Sequence, residues 1–340
     1  MRANRQRPKP TAAPSEDNLV TRIRRALSVP QRGSSSRLRL AMGDDAAIIR
    51  PRAGYETILT CDWLLEGSHF LLDRHPADSI GWKCLERAAS DLAAMGAEPR
   101  CFLLSLALPA AASGIWLNEF LRGLRAASRH LNCPAAGGDT TGRDQILINT
   151  TVVGECRRGQ AILRKGAKPG DAIFVSGRLG EAELGLRLIR SDQRRTNKGD
   201  ARLRKHLYPE ARLGIGAWLA RQRLATAMMD LSDGLSSDLP RLCAASGVGV
   251  RIESQRIPAL RLSGLNAKKF DALELALDGG DDYELLFTVA PENISRIPRS
   301  IAGTPLTLIG RVVRETNVLL ISESREEVPL AKKGWDPFRK

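Results

Sequence analysis

Paired cysteines are missing from this 340-residue chain. Its six cysteines (Cys61, Cys84, Cys101, Cys133, Cys156 and Cys243) are scattered, and none forms a Cys-x-x-Cys pair. That argues against a zinc site or a disulfide framework and for a reducing compartment, so the expected location is the cytoplasm. No apolar run approaches the roughly 20 residues of a membrane span. The first 14 residues carry Arg2, Arg5, Arg7 and Lys9 but no apolar core, which excludes a secretory signal. Residues 1–15 are expected to form a disordered basic tail. Also absent are a Gly-x-x-x-x-Gly-Lys-Ser/Thr loop, a Rossmann Gly-x-Gly-x-x-Gly and a Gly-x-Ser-x-Gly elbow. An ATP enzyme built on this sequence would belong to neither common nucleotide-binding class.

Basic charge, by contrast, is abundant: the formal net charge is +14. Part lies in the tail and part between Arg187 and Lys205. Aromatic residues make up 4% of the chain and none interleaves with that basic run, so the stacking platform of a nucleic-acid binder is lacking. The run reads as a solvated loop, and no nucleic-acid partner is expected.

Against this basic background stand three acidic clusters: Gly43-Asp44-Asp45, Gly137-Gly138-Asp139 and Asp230-Leu231-Ser232-Asp233-Gly234. Asp62 and Asp91 join them. Clustered carboxylates repel one another unless a cation sits between them, and Mg2+ takes oxygen ligands and often arrives with a phosphate. Taken singly, each aspartate reads as a turn or capping residue. Asp91 is harder to dismiss, because it lies within Ala88-Ala89-Ser90-Asp91-Leu92-Ala93-Ala94, where an unpaired carboxylate pays for desolvation. The glycines before Asp139 would allow backbone to approach a phosphate closely.

Helical and strand-like periodicities alternate along the chain. Helices are expected over 18–27, 77–95, 113–130 with Ser113 as N-cap, 180–189, 212–221, after Asp233, and over 269–277. Strands are expected over 57–61, delivering Asp62 at the end, and over 101–108, 146–155 and 172–176. Further strands are expected entering Asp230 and over 249–253, 283–289 and 306–312. Pro240 should tolerate only the first turn of its helix. The turn-rich stretch 165–171 marks a boundary, giving two α+β domains over 16–160 and 161–340.

Seven motifs stand in order along the chain: Gly43-Asp44-Asp45-Ala46-Ala47, the Asp62–Phe70 segment ending Gly67-Ser68-His69-Phe70, and Ser90-Asp91-Leu92-Ala93-Ala94-Met95-Gly96-Ala97. Gly137-Gly138-Asp139-Thr140-Thr141, the Arg164–Asp171 segment, Asp230–Leu235 and Gly279–Leu285 follow. Together they resemble the motifs of the thiamine-monophosphate kinase family of the AIR-synthetase-like (PurM-like) superfamily. The resemblance implies a two-domain PurM-like α+β fold whose N-terminal domain forms a barrel-like dimer interface. It implies transfer of phosphate from ATP to thiamine monophosphate, giving thiamine diphosphate, with several Mg2+ ions. Asp45, Asp62, Asp91, Asp139, Asp230 and Asp233 resemble the metal ligands. Gly138, Asp139, Arg164 and Ser232 match ATP contacts, and His69, Asp281 and Trp335 match substrate contacts. No general base is expected. Taken alone, His69 reads as a structural histidine and Trp335 equally well as a packing residue.

Some positions depart from the family pattern. Cys61 stands where the family commonly has a hydroxyl, and a thiol is a poor Mg2+ ligand. Asp281 replaces a frequent glutamate and reaches less far. Gly142 and Arg143 are exchanged relative to some relatives. Other branches of the superfamily fit less well: a selenophosphate synthetase would need a reactive Cys in a glycine-rich N-terminal loop. A hydrogenase-maturation enzyme would end in a reactive Cys, and an aminoimidazole ribonucleotide synthetase would lack the full Gly279–Leu285 string. A catalytically idle relative would have lost some of the aspartates, and all are present.

Overall fold

The computed structural model describes residues 15–27, 38–191 and 199–338. The expected tail therefore lies outside the described residues apart from Ser15, as do residues 192–198 of the basic run. By internal contacts the chain divides into two units. Unit 1 takes the chain up to Pro51, Cys61–Leu85 and Arg100–Val153; unit 2 takes Arg52–Thr60, Glu86–Pro99 and Gly154 onward.

Unit 1 begins with helix α1 (Glu16–Leu27), which buries Leu19, Ile23 and Leu27 at a four-residue spacing. A short pair, β1 (Leu38–Leu40) and β2 (Ile48–Ile49), runs antiparallel. The main sheet has the order β3-β6-β4-β5, with β3 (Tyr55–Leu65), β4 (Glu98–Leu108), β5 (Ala135–Gly142) and β6 (Leu147–Arg157). In β6, Ile148, Thr150 and Val152 are all fully buried, the face that their alternation marks out. Helices α2 (Ala77–Ala94) and α3 (Ile115–His130) pack closely because glycine stands at the crossing. A Cβ on Gly123 would lie 1.8 Å from the Asp78 carbonyl oxygen, so no larger residue fits without moving a helix. Arg122 then reaches Asp78 at 3.2 Å.

Two local expectations change here. Ser113 does not cap α3: the stretch after Pro109 forms a tight turn first, and the Ser113 hydroxyl donates to the Ala110 carbonyl at 2.6 Å. Gly114 precedes the helix without a side-chain cap. Strand β3 runs on to Leu65, so Asp62 lies within it rather than at its end. The Gly137-Gly138-Asp139 segment, to which no element was assigned from sequence, is part of β5, paired in parallel with β4.

Unit 2 contains an eight-stranded sheet, β14-β13-β9-β12-β7-β10-β8, with β11 on β12. Its strands are β7 (Ala172–Ser176), β8 (Ala225–Leu231), β9 (Gly249–Glu253), β10 (Glu284–Val289), β11 (Ser300–Ile301), β12 (Thr304–Val313), β13 (Val318–Ile321) and β14 (Glu327–Pro329). The pairs are antiparallel except β13 with β9. The helices are α4 (Glu181–Ser191), α5 (Arg204–Leu207), α6 (Leu213–Gln222), α7 (Leu235–Ser246), α8 (Leu265–Lys269) and α9 (Ala272–Asp278). Strand β7 is buried along its whole length because both faces are covered. Ile173 and Val175 pack with Leu235, Leu239 and Leu242 of α7. Ala172 and Phe174 pack with Ile215 and Leu219 of α6.

Pro240 sits in the second turn of α7 rather than the first. One helical hydrogen bond is lost there. The burial of Leu235, Leu239, Leu242 and Cys243 on the same helix offsets the loss.

Glu86 of α2 is fully buried, and its carboxylate accepts the Ala211 N–H at 2.8 Å. Burial pushes its pKa up to about 8, with Glu210 adding to the rise and Arg212 opposing it. The folded chain therefore holds a proton that the unfolded chain gives up above about pH 4.5. Stability falls as pH rises across that window, by on the order of 1 kcal/mol per pH unit. Burial likewise raises Asp282 to about 7 and Asp238 to about 6, so Glu86 outlasts both. Glu86→Gln is expected to flatten the fall in Tm between pH 7 and 8. Parallel thermal melts of the two proteins check this, and identical slopes would contradict it.

Candidate functional site

In unit 2 the site grows from the end of β8. Asp230 is buried, and its carboxylate accepts the Ser90 hydroxyl at 2.8 Å. Next to Ser90 on α2, the half-buried Asp91 accepts the hydroxyl of Thr60 from β3. Two aspartates far apart in sequence are thus tethered through one α2 turn. Position 61 carries a thiol where the family resemblance implies a hydroxyl. Here the hydroxyl that meets a carboxylate is that of Thr60, while Cys61 is exposed.

Beyond Asp230 the chain turns through Ser232-Asp233-Gly234 into α7. Asp238, fully buried in the first turn of α7, accepts the Ser232 N–H at 3.1 Å and the Asp233 N–H at 3.0 Å. Arg241 binds both Asp238 (2.6 Å) and Asp233 (2.5 Å). These two residues fix the loop and were missed from sequence. The available signal was an acidic residue in the first turn of a helix, which usually implies only capping.

The same loop holds two other segments by its main chain. The Ser232 carbonyl accepts the Asp281 N–H at 2.8 Å, and the Asp233 carbonyl accepts the Trp335 N–H at 2.9 Å. Glycine permits this contact: a Cβ on Gly334 would lie 2.1 Å from the Asp233 oxygen. Asp281 is in the left-handed region at φ 65°, and its carboxylate accepts the Tyr283 hydroxyl at 2.7 Å. The Trp335 side chain is exposed. Arg164 is exposed too, on a segment pinned to the end of α7: Ser246 donates to the Arg164 carbonyl and accepts the Gly166 and Ala167 N–H groups.

In unit 1, Asp139 on β5 pairs in register with Ser105 of β4. Gly138 before it has φ 154°, and a Cβ there would lie 1.9 Å from the Leu104 carbonyl oxygen. Only glycine lets the strand stay paired while exposing Asp139. Asp45 is exposed in the turn before β2, its N–H bonded to the Asp44 carboxylate. Asp62 is half-buried on β3. The His69 Nδ1 accepts the Leu65 N–H at 3.1 Å, which leaves the proton of the neutral ring on Nε2.

The structure thus brings Asp91 together with Asp230, and Ser232 and Asp233 together with Asp281 and Trp335. Among the described residues, no three His, Cys, Asp or Glu side chains gather into a group that could hold a metal ion. A dense protein cage suits Ca2+ or Zn2+; Mg2+ is commonly held by one or two carboxylates with water and phosphate oxygens. The all-oxygen donor set of paired aspartates fits that mode.

Residues 43–156 match the family model of the AIR synthase related protein N-terminal domain, and residues 168–321 match the corresponding C-terminal domain. Thiamine-monophosphate kinase of Escherichia coli (strain K12) is 36% identical over 313 residues, spanning 89% of this chain and 94% of that protein. The chain belongs to the thiamine-monophosphate kinase family. Among solved structures, thiamine-monophosphate kinase from Stenotrophomonas maltophilia K279a matches with a TM-score of 0.77 and 35% identity, over 89% of this chain and 95% of that one. A family member described as AaThiL complexed with AMPPCP and TMP matches with a TM-score of 0.74 and 32% identity, over 95% and 97% of the two chains. The expected two-domain α+β fold of this family is therefore the observed one.

Proposed function

We infer that this chain is a thiamine-monophosphate kinase: it transfers the terminal phosphate of ATP directly to the phosphate of thiamine monophosphate, giving thiamine diphosphate and ADP. One observation carries the reading. The loop bearing Asp230, Ser232 and Asp233 also holds Asp281 and Trp335 by main-chain hydrogen bonds. The groups suited to phosphate and metal are thereby fixed to those suited to the thiamine end.

The chemistry fits the residues. A phosphate monoester has a second pKa of about 6, so the attacking oxygen is already ionised at neutral pH and no general base is needed. The barrier is repulsion between two anions, lowered by positioning and fixed positive charge. Mg2+ would be held by Asp45, Asp62, Asp91, Asp139, Asp230 and Asp233, and when bound it supplies that charge to the phosphates. Arg164 adds a permanent cation, with Ser232 and the Gly138-Asp139 backbone beside ATP. His69 offers Nε2–H to substrate, Asp281 a carboxylate to the cationic substrate, and Trp335 an exposed face for its rings.

A homodimer is part of the proposal. Strand β3 is the edge of its sheet and exposes Leu59 (68%) and Trp63 (52%) at positions of the same parity. An apolar edge of this kind calls for a cover, and a second copy of the chain supplies one. Sedimentation at micromolar concentration should give twice the chain mass; a monomer mass would refute the dimer. No helix among the described residues is long and apolar enough to cross a membrane, and we place the enzyme in the cytoplasm.

The kinase reading is tested by incubating the protein with ATP, Mg2+ and thiamine monophosphate, with thiamine and aminoimidazole precursors as controls. Thiamine diphosphate formed in step with ADP, from the monophosphate alone, is the expected result. ATP binding without turnover would overturn it.

A further inference from the structure

A cavity of about 620 Å³ opens in unit 2 where β7 leads into α4. None of the residues assigned above to ATP, substrate or metal lines it. Six cationic side chains face it against three carboxylates, and the carboxylates leave a surplus of positive charge. Glu284 is buried and already paired with Lys205 and Arg212. Glu210 approaches Arg204 only at 3.7 Å, and Arg202 is engaged with Asp200.

Arg178 and Arg261 are different. Both are exposed, and neither has an ion pair or side-chain hydrogen bond among the described residues. The backbone nevertheless holds their segments side by side. Leu179 bridges Ala259, its N–H donates to the Pro258 carbonyl at 2.9 Å, and the Leu260 N–H donates to the Leu179 carbonyl at 3.0 Å. Two guanidiniums anchored on neighbouring segments that line one cavity make a site for a multiply charged oxyanion. The volume falls within the range of about 300–1,000 Å³ typical of small-molecule pockets and exceeds what a lone phosphate needs. Leu184, Leu260 and Tyr208 add an apolar wall.

We propose that this cavity is a second anion site that takes a diphosphate group, either free or as the end of a larger molecule. The surplus of positive charge excludes a purely cationic ring as its occupant. The site is also wired to the substrate loop. Lys205 in the cavity is followed by the buried His206, whose Nδ1 lies 3.8 Å from the Asp281 carboxylate. An anion competing for Lys205 would therefore act on the residue that we assign to the thiamine end. That coupling rests on the function proposed above; the anion site itself does not.

The test is calorimetric titration of inorganic diphosphate into the full chain at physiological salt with EDTA, without ATP or Mg2+. Three proteins are compared: the unaltered chain, Arg178→Ala/Arg261→Ala, and Arg164→Ala as a control at the proposed nucleotide site. One site is expected in the unaltered chain, weakened at least about tenfold in the double variant and retained in Arg164→Ala. No binding, or equal binding in the double variant, would overturn the proposal, as would loss only in Arg164→Ala. Arg178→Gln/Arg261→Gln repeats the comparison should the alanine variant melt early. Thiamine diphosphate titrated in parallel separates the two sources. Tighter binding than diphosphate assigns the ring to the apolar wall, and equal binding assigns the site to diphosphate alone. Because the readout involves no turnover, a failed kinase assay leaves it unaffected.

Discussion

Asp91→Asn lowers kcat by about a thousandfold or more, while the Tm moves by no more than a few degrees: this is the expected result for the residue on which the metal reading depends most. The asparagine oxygen can still accept the Thr60 hydroxyl that the carboxylate accepts now. Ser90, one residue earlier, keeps its bond to Asp230. Geometry is thus preserved and one negative charge is removed. If that charge serves a cation on the transferring phosphate, the loss falls on the transition state, and kcat and kcat/KM drop together. A variant that turns over normally would show that Asp91 merely anchors β3 to α2. Asp139→Asn should behave alike, since β5 holds that residue by backbone pairing and not by its carboxylate.

The largest effect on stability is expected at Glu284. This residue is fully buried at the start of β10, accepts the Ser176 hydroxyl at 2.6 Å, and is paired with Lys205 and Arg212. Burial alone would raise its pKa, but the two cations outweigh that and hold it at about 2. Glu284→Ala removes the buried counter-charge that Lys205 and Arg212 share and leaves Arg212 only Glu210, at 3.9 Å, a change that costs about 3–5 kcal/mol in comparable buried pairs. For a domain of this size that corresponds to a fall in Tm on the order of 10 °C. Thermal melts of the variant and parent at pH 7 measure it. A shift under about 2 °C would mean that water already screens the triad.

Much of this arrangement was legible in the sequence. Strands β7 and β9 span the residues expected of them, and α2 ends within one residue of the expected position. The motif aspartates mark loops and strands that the structure joins, as with Asp230 and the Ser90-Asp91 turn. What escaped is what pairing alone decides. Residues 135–142 contain three glycines and no β-branched residue except Thr140 and Thr141, so they carry no strand signal. They become β5 because β4 offers a parallel partner. Asp238 and Arg241 escaped for a related reason. A buried carboxylate that collects two loop N–H groups looks, in sequence, like an ordinary helix-start aspartate.

The strand order of unit 2 also governs how the chain can be made. β7 pairs with β10 and β12, more than a hundred residues downstream, and β9 pairs with β12 and β13. Chain emerging from the ribosome therefore completes β7 and β9 long before either has a neighbour. A product stopped after residue 303 would have both strands but nothing to join them. Strand β10 can join β7 to β8 first, but β9 stays unlinked until β12 is made, and meanwhile the apolar faces of β7 depend on α6 and α7, or on a chaperone, to stay out of water.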